Sequence, residues 1–214
     1  MTKGAFFAKH TKLTRSLKKF VLDYQVKLER GVFEAFLESL SAELAAVTAD
    51  LSQYPAGPLR ARRLHGLVEK EIAAETEIQV SCKKGCSACC HMEVEITTYE
   101  AEILKQLISS GFVIDKDRLK QQGARTLQDP QWRAGMNEAN RCVFLDTAGA
   151  CGIYEDRPVM CRRHSVTSPA ENCVTSDGDI VVRYFPRVDL LISAANEDPD
   201  LRIGPLAKML AKEM

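Results

Sequence analysis

The chain has 214 residues, eight of them cysteine, and its 29 basic side chains balance 29 acidic ones. A hydrophobic share of 45% beside 27% charged residues excludes a disordered or low-complexity chain, and zero net charge argues against a nucleic-acid partner. A chain of this size buries roughly 70% of the surface its unfolded form exposes, so its cysteines are not needed as a substitute for a core.

Taken in chain order, the N-terminus offers no secretory segment, since its longest apolar run is Ala5-Phe6-Phe7-Ala8. No run approaches the roughly eighteen apolar residues of a membrane span. A cytoplasmic location is therefore expected, where thiol pools keep cysteines reduced. Residues 1–30 hold eight Lys or Arg against Asp23 and Glu29, whereas residues 31–57 hold four acids and no base. The plainest account of this polarity is a solvated helix face.

Leu13, Leu17, Phe20, Tyr24, Leu28, Val32, Phe36, Leu40, Leu44, Val47 and Leu51 step by three or four, which is an amphipathic helical stripe. Gly31 is its weak point, because glycine costs a helix interior about 1 kcal/mol relative to alanine. So long a stripe packs on the chain's own core or serves a homodimer through the N-terminal helix. Ser52–Pro58 ends it as a linker, and Pro58 suits the first turn of a second helix with Leu64, Leu67, Val68 and Ile72. Glu77–Val80 is expected to be extended. Thr97 and Glu100 form a capping box for a helix that buries Ala101, Ile103, Leu104 and Leu107 and stops at Gly111. A short helix is expected over about 115–127. Cys142–Leu145 and Cys151–Tyr154, separated by Asp146–Gly149, have the pattern of a hairpin. Ile180–Phe185 suits one more strand, and a last helix starts near Pro205 and runs to the end. The expected fold is mainly α with a small β-hairpin element, its long N-terminal helix packed on a cysteine-rich metal-binding module. The division is residues 1–75, a helical region, and 76–214, a cysteine-cluster domain with a C-terminal helix.

The chemistry concentrates in Cys82-Lys-Lys-Gly-Cys86-Ser-Ala-Cys89-Cys90-His91. Four thiols in so short a stretch bring several sulfurs to one centre, and Gly85 permits the turn that points amides at them. Lys83 and Lys84 offset thiolate charge. Cys142, Cys151, Cys161 and Cys173 complete a site only if the fold returns them to residues 82–90. An isolated cysteine is ordinarily a small buried hydrophobe, and only the grouping makes these eight metal ligands. Cys173 is the one expected to be dispensable. His91 and His164 lie beside cysteines and suit ligands or supporting donors. Arg157 and Arg162 suit a carboxylate partner, positive charge beside thiolates, or simply a salt bridge that holds the loop. Zinc wants closed tetrahedral sets, and eight thiols divide into two of them. Three close cysteines with one remote match iron–sulfur ligation, the four-iron cluster being favoured.

Cys82-x3-Cys86-x2-Cys89-Cys90, Cys142-x-Phe-Leu, Cys151-Gly-Ile-Tyr-Glu-Asp-Arg-Pro158 and Cys161-Arg162 together resemble the YkgJ-type cysteine-cluster family over roughly residues 80–175. The resemblance implies a zinc- or iron-chelating domain of bacterial type and leaves the N-terminal helices outside it. A related cysteine region occurs in flagellin lysine methylases, where an iron–sulfur cluster is implied. This chain is much shorter and shows no motif for a methyl donor. The expected function is a metal-binding protein with a structural, redox or sensing role toward a protein or small-molecule partner. The alternative is an iron–sulfur- or metal-dependent enzyme in which Arg157, Arg162, His91 and His164 position a substrate. No nucleophile–base–orienter set is evident in the sequence.

Overall fold

The computed structural model describes every residue except Lys84, Ser176 and 212–214. The charge role expected of Lys84 and the end of the last helix therefore lie outside the described residues. Among the described residues the fold is mainly helical, with one small antiparallel sheet, and the chain divides into two compact units. Met1–Ala74 with Tyr184–Leu201 form one, and Glu75–Arg183 with Arg202–Met214 form the other.

The first unit is a helical bundle of α1 (Lys3–Lys9), α2 (Arg15–Gln25), α3 (Arg30–Ser52), α4 (Pro58–Ala74) and α8 (Pro186–Asn196). The apolar stripe is real, but the single long helix expected from it is divided. The Lys27 and Leu28 amides both turn back to the Tyr24 carbonyl, and Glu29 is extended before α3 begins. The break therefore precedes Gly31, which sits inside α3. Leu17, Val21, Phe33, Leu37, Leu40 and Leu44 still close one core, whereas Val32 is 55% exposed because its neighbour Phe33 takes the inward position.

Helix α8 was not expected from the sequence. Its Val188–Ala195 run is buried on every face, so no amphipathic period marks it. It is tied to the start of α2, where the Thr14 hydroxyl donates to Asp189 at 2.9 Å and the Thr14 amide donates to Ser193 Oγ at 3.0 Å. Residues 184–201 consequently join the N-terminal helices, which differs from the expected division at 75/76.

The same unit assembles a polar set that the sequence did not reveal. His10 Nε2 lies 2.9 Å from Ser41 Oγ, His10 Nδ1 lies 3.9 Å from Glu197, and Lys9 donates to Ser41 at 2.9 Å. Ser41 and His10 are only 4% and 5% exposed, so the set locks α1 to α3 and offers no nucleophile to a substrate. Burial first, and Lys9 second, push the His10 pKa below its ordinary 6.5, against a smaller pull from Glu197. The unfolded chain then takes up the proton first, so His10 supports folding above pH 6.5 and loses that contribution as pH falls through 6.5 toward the folded pKa. Denaturant midpoints of the first unit should decline from pH 7.5 to 5, and His10→Gln should flatten that decline. An equally steep decline in the variant would remove His10 as its source.

The second unit holds α5 (Thr98–Ser109), α6 (Lys116–Ala124), α7 (Val159–Arg163) and α9 (Leu206–Ala211), with β1 (Glu95–Thr97) paired to β2 (Ile203–Pro205). The capping box is present as expected: the Glu100 amide donates to Thr97 Oγ1 at 3.2 Å, and Glu100 Oε2 accepts from the Thr97 amide at 2.9 Å. Ile96, Leu104, Leu119, Phe144, Ile153 and Leu210 form the core of this unit.

The β element lies elsewhere than expected. The hairpin foreseen over 142–154 is reduced to one bridge, Leu145 to Cys151, because the Cys142 amide donates to Cys90 and the Leu145 amide turns back to Cys142. The strand foreseen at Ile180–Phe185 is likewise one bridge, Val166 to Val182. Residues 77–80 form no strand.

Candidate metal centre

All eight cysteines are free and half-buried, and all belong to the second unit. The chain enters the site at Ser81, whose amide donates to the Val166 carbonyl at 2.9 Å. The Val166 amide answers by donating to Cys82 Sγ at 3.3 Å. Cys86 follows a turn in which its amide reaches the Lys83 carbonyl at 3.0 Å. Gly85 has φ +90° there, a conformation that side-chain-bearing residues rarely adopt. Cys89 and Cys90 lie on a 3-10 turn, Ala88–His91.

The remote thiols return to this segment. The Cys142 amide donates to the Cys90 carbonyl at 2.8 Å, and the Leu145–Cys151 bridge folds Cys151 back toward the Cys142 turn. Gly152 leaves room beside it, since a Cβ there would stand 2.8 Å from the Phe112 ring and displace it. Cys161 rides on α7, whose first amide, that of Val159, donates to Glu100 Oε1 at 2.6 Å. Cys173 closes the 3-10 turn Ala170–Cys173 and lies in the electrostatic field of Cys82, Cys86 and Cys89.

Cys89 is the hub of the electrostatics. A hydrogen bond from the Cys90 thiol, aided by the Arg157 charge and opposed by burial, lowers its pKa to about 7. As the donor in that pair, Cys90 is held firmly protonated. Burial pushes Cys142 up to about 11 and raises Cys161 further, and the neighbouring thiols add to both. Cys82, Cys151 and Cys173 are also raised, chiefly by burial. A cation is what such a group needs to become a set of thiolates, and its binding would release protons. Among the described residues no three donors already stand in a closed metal-holding arrangement. The thiols are gathered neighbours, and the chemistry of the donor set, eight soft sulfurs within one unit, fits a thiophilic metal.

The four other candidates divide by their contacts. The Arg157 guanidinium stacks 3.6 Å from the Tyr154 ring centroid and acts on Cys89 and Cys151 as a positive charge. Buried Arg162 donates to the carbonyls of Arg157 (2.6 Å) and Glu155, which makes it a clamp on its own loop. His91 Nδ1 donates to the Ser87 carbonyl at 3.1 Å, leaving the lone pair of the neutral ring on Nε2. Burial and Arg163 lower the His164 pKa, so that ring favours its neutral form. The residue the sequence undervalued is Glu100. It was legible as a helix cap, and its second oxygen also fixes the helix that presents Cys161.

No curated protein and no solved structure matches the chain. Residues 81–178 match the family model CxxCxxCC, "Putative zinc- or iron-chelating domain". That segment spans all eight cysteines, from Cys82 to Cys173. The cysteine-rich segment of this chain is thus similar to a zinc- or iron-chelating domain, which supports metal binding by its cysteine cluster.

Proposed function

We propose that the chain is a cytoplasmic protein whose clustered thiolates hold an iron–sulfur cluster of the four-iron type, in a structural, redox or sensing role, with zinc as the alternative occupant. The observation that carries this reading is the return of Cys142 and Cys151 to residues 82–90, through the Cys142 bond to the Cys90 carbonyl and the Leu145–Cys151 bridge. The spacing Cys82-x3-Cys86-x2-Cys89 with a remote fourth thiol supports iron–sulfur ligation ahead of zinc. Arg157 would balance thiolate charge, and the cluster would supply electron storage or a rigid cross-link. The enzyme alternative is weaker, because Arg162 and His91 are engaged by backbone carbonyls.

Purification without oxygen, followed by iron and sulfide analysis and an absorption spectrum, tests the reading. The expected product is brown, with broad visible absorption and about four irons per chain. Colourless anaerobic protein carrying zinc and no iron would reject the cluster and leave zinc. Protein with neither metal would reject metal binding.

A further inference from the structure

We infer that the outer face of α2 docks the first unit on an anionic lipid surface, its basic side chains meeting the headgroups while Leu22 and Val26 enter the interface. The inference stands apart from the metal reading, since no cysteine belongs to this unit.

At 3.6 residues per turn, Arg15, Lys18, Lys19, Leu22 and Val26 fall on one side of α2, and Leu17 and Val21 fall on the other. Leu17 and Val21 are buried in the core, and Phe20 and Tyr24 pack partly against it. The core therefore makes no use of Leu22 and Val26, which are 45% and 84% exposed. Val32, also exposed, follows on the first turn of α3, just past the point where the chain turns back on Tyr24.

The positive charge around these aliphatic side chains is left over from pairing inside the chain. Asp23, the one acid of α2, is taken by Lys19 at 2.6 Å. Among the described residues no ion pair engages Arg15, Lys18 or Lys27. Lys3 donates to the neutral side-chain carbonyl of Gln25 at 3.0 Å, which adds its charge to the same end of α2. In the acidic stretch that follows, Glu34, Glu43 and Asp50 are engaged by Arg30, Arg187 and Arg63. Glu29 alone opposes the surplus at the corner between α2 and α3. An anionic partner from outside the chain is what such a face complements.

The aliphatic residues decide which anion. Single exposed hydrophobics are ordinary, and lysines alone would suit any polyanion. Leu22 and Val26 among unpaired basic residues make the combination of an interfacial helix, in which apolar groups enter the acyl boundary and cations meet anionic headgroups. A nucleic acid would satisfy the lysines through its phosphates and leave the aliphatics without a role. A protein partner would have to supply a matching pocket for each protruding side chain, whereas a bilayer interface accommodates them without one. With so little apolar area, the contact is reversible and depends on the lipid charge.

The full chain should cosediment at low salt with vesicles of mixed phosphatidylglycerol and phosphatidylcholine, and not with phosphatidylcholine alone. Salt should release it, because screening shortens the reach of charge to about 3 Å at 1 M. Lys18→Gln/Lys27→Gln should weaken partitioning about 25-fold, at about fivefold for each charge lost. Leu22→Gln/Val26→Gln should weaken it on the order of tenfold and keep the salt dependence. All four positions lie outside the core, so circular dichroism and metal content should match the wild type in both variants. Val26→Trp should add a fluorescence component that shifts to the blue with the anionic vesicles only. Failure of the wild-type chain to bind those vesicles at low salt would overturn the inference. Undiminished binding by Leu22→Gln/Val26→Gln would overturn it too, by reducing the contact to charge alone. Tighter retention on immobilised nucleic acid or acidic peptide than on the vesicles would give the face to another partner and overturn it as well.

Discussion

Removing the metal, or replacing Cys86 or Cys89 with serine, should abolish the cooperative thermal transition of the cysteine-containing unit and spare the helices of the first. The two units have separate apolar cores, and all eight thiols belong to one unit. Between α6 and α8 the described chain is held by short 3-10 turns (Pro130–Arg133, Glu138–Asn140, Tyr154–Asp156 and Ala170–Cys173), the five-residue α7 and two isolated bridges. Regular secondary structure contributes little cooperative stability there. The magnitudes decide the outcome. A structural zinc contributes an apparent 10–16 kcal/mol, about as much as the 5–15 kcal/mol that holds a whole domain folded. Losing it should therefore unfold the unit and not merely lower its midpoint. Calorimetry of a chelator-treated sample, with metal loss verified by elemental analysis, should show one transition remaining. A melting curve identical to that of the untreated protein would show that the apolar core alone suffices.

What the sequence made legible follows a physical boundary between local and distant causes. The capping box at Thr97 and Glu100, the entry of Pro58 into α4 and the stop near Gly111 depend on a few adjacent residues, and each stands where its pattern placed it. Helix α8 was hidden because burial all round erases the period that betrays a surface helix. The β1–β2 pair was hidden because residues 95–97 meet residues 203–205, a pairing that no local propensity specifies. The hairpin over 142–154 closes at its foreseen turn, with the Gly152 amide on the Phe144 carbonyl, but stops at one bridge for a related reason: a distant carbonyl, that of Cys90, claims the amide of Cys142. At the site, the thiol spacing announced a metal, whereas its scaffold did not show. Nothing in the residues around Glu100 indicates that the same carboxyl group reaches α7.

Glu100→Ala should be among the most damaging substitutions outside the cysteines. The side chain is 1% exposed and links two elements, accepting from the Thr97 amide and hydroxyl on one oxygen and from the Val159 amide on the other. Val159 and Thr97 are themselves 2% and 8% exposed, so water does not readily replace the lost acceptor. The Thr97 hydroxyl still caps the residue-100 amide, but the two stranded amides cost about 1–3 kcal/mol each, for a total of about 2–6 kcal/mol. Because α7 carries Cys161, the same change should speed loss of the bound metal to a chelator. Glu100→Gln keeps the shape but offers one oxygen where two served, and should fall between the wild type and alanine. Thr97→Ala separates the two roles, since it loses only the capping hydroxyl and leaves the Val159 amide its partner. It should cost about 1 kcal/mol and leave the metal-release rate near that of the wild type. Equal acceleration of release by Thr97→Ala and Glu100→Ala would mean that the cap of α5, and not the reach to Val159, holds Cys161 in place.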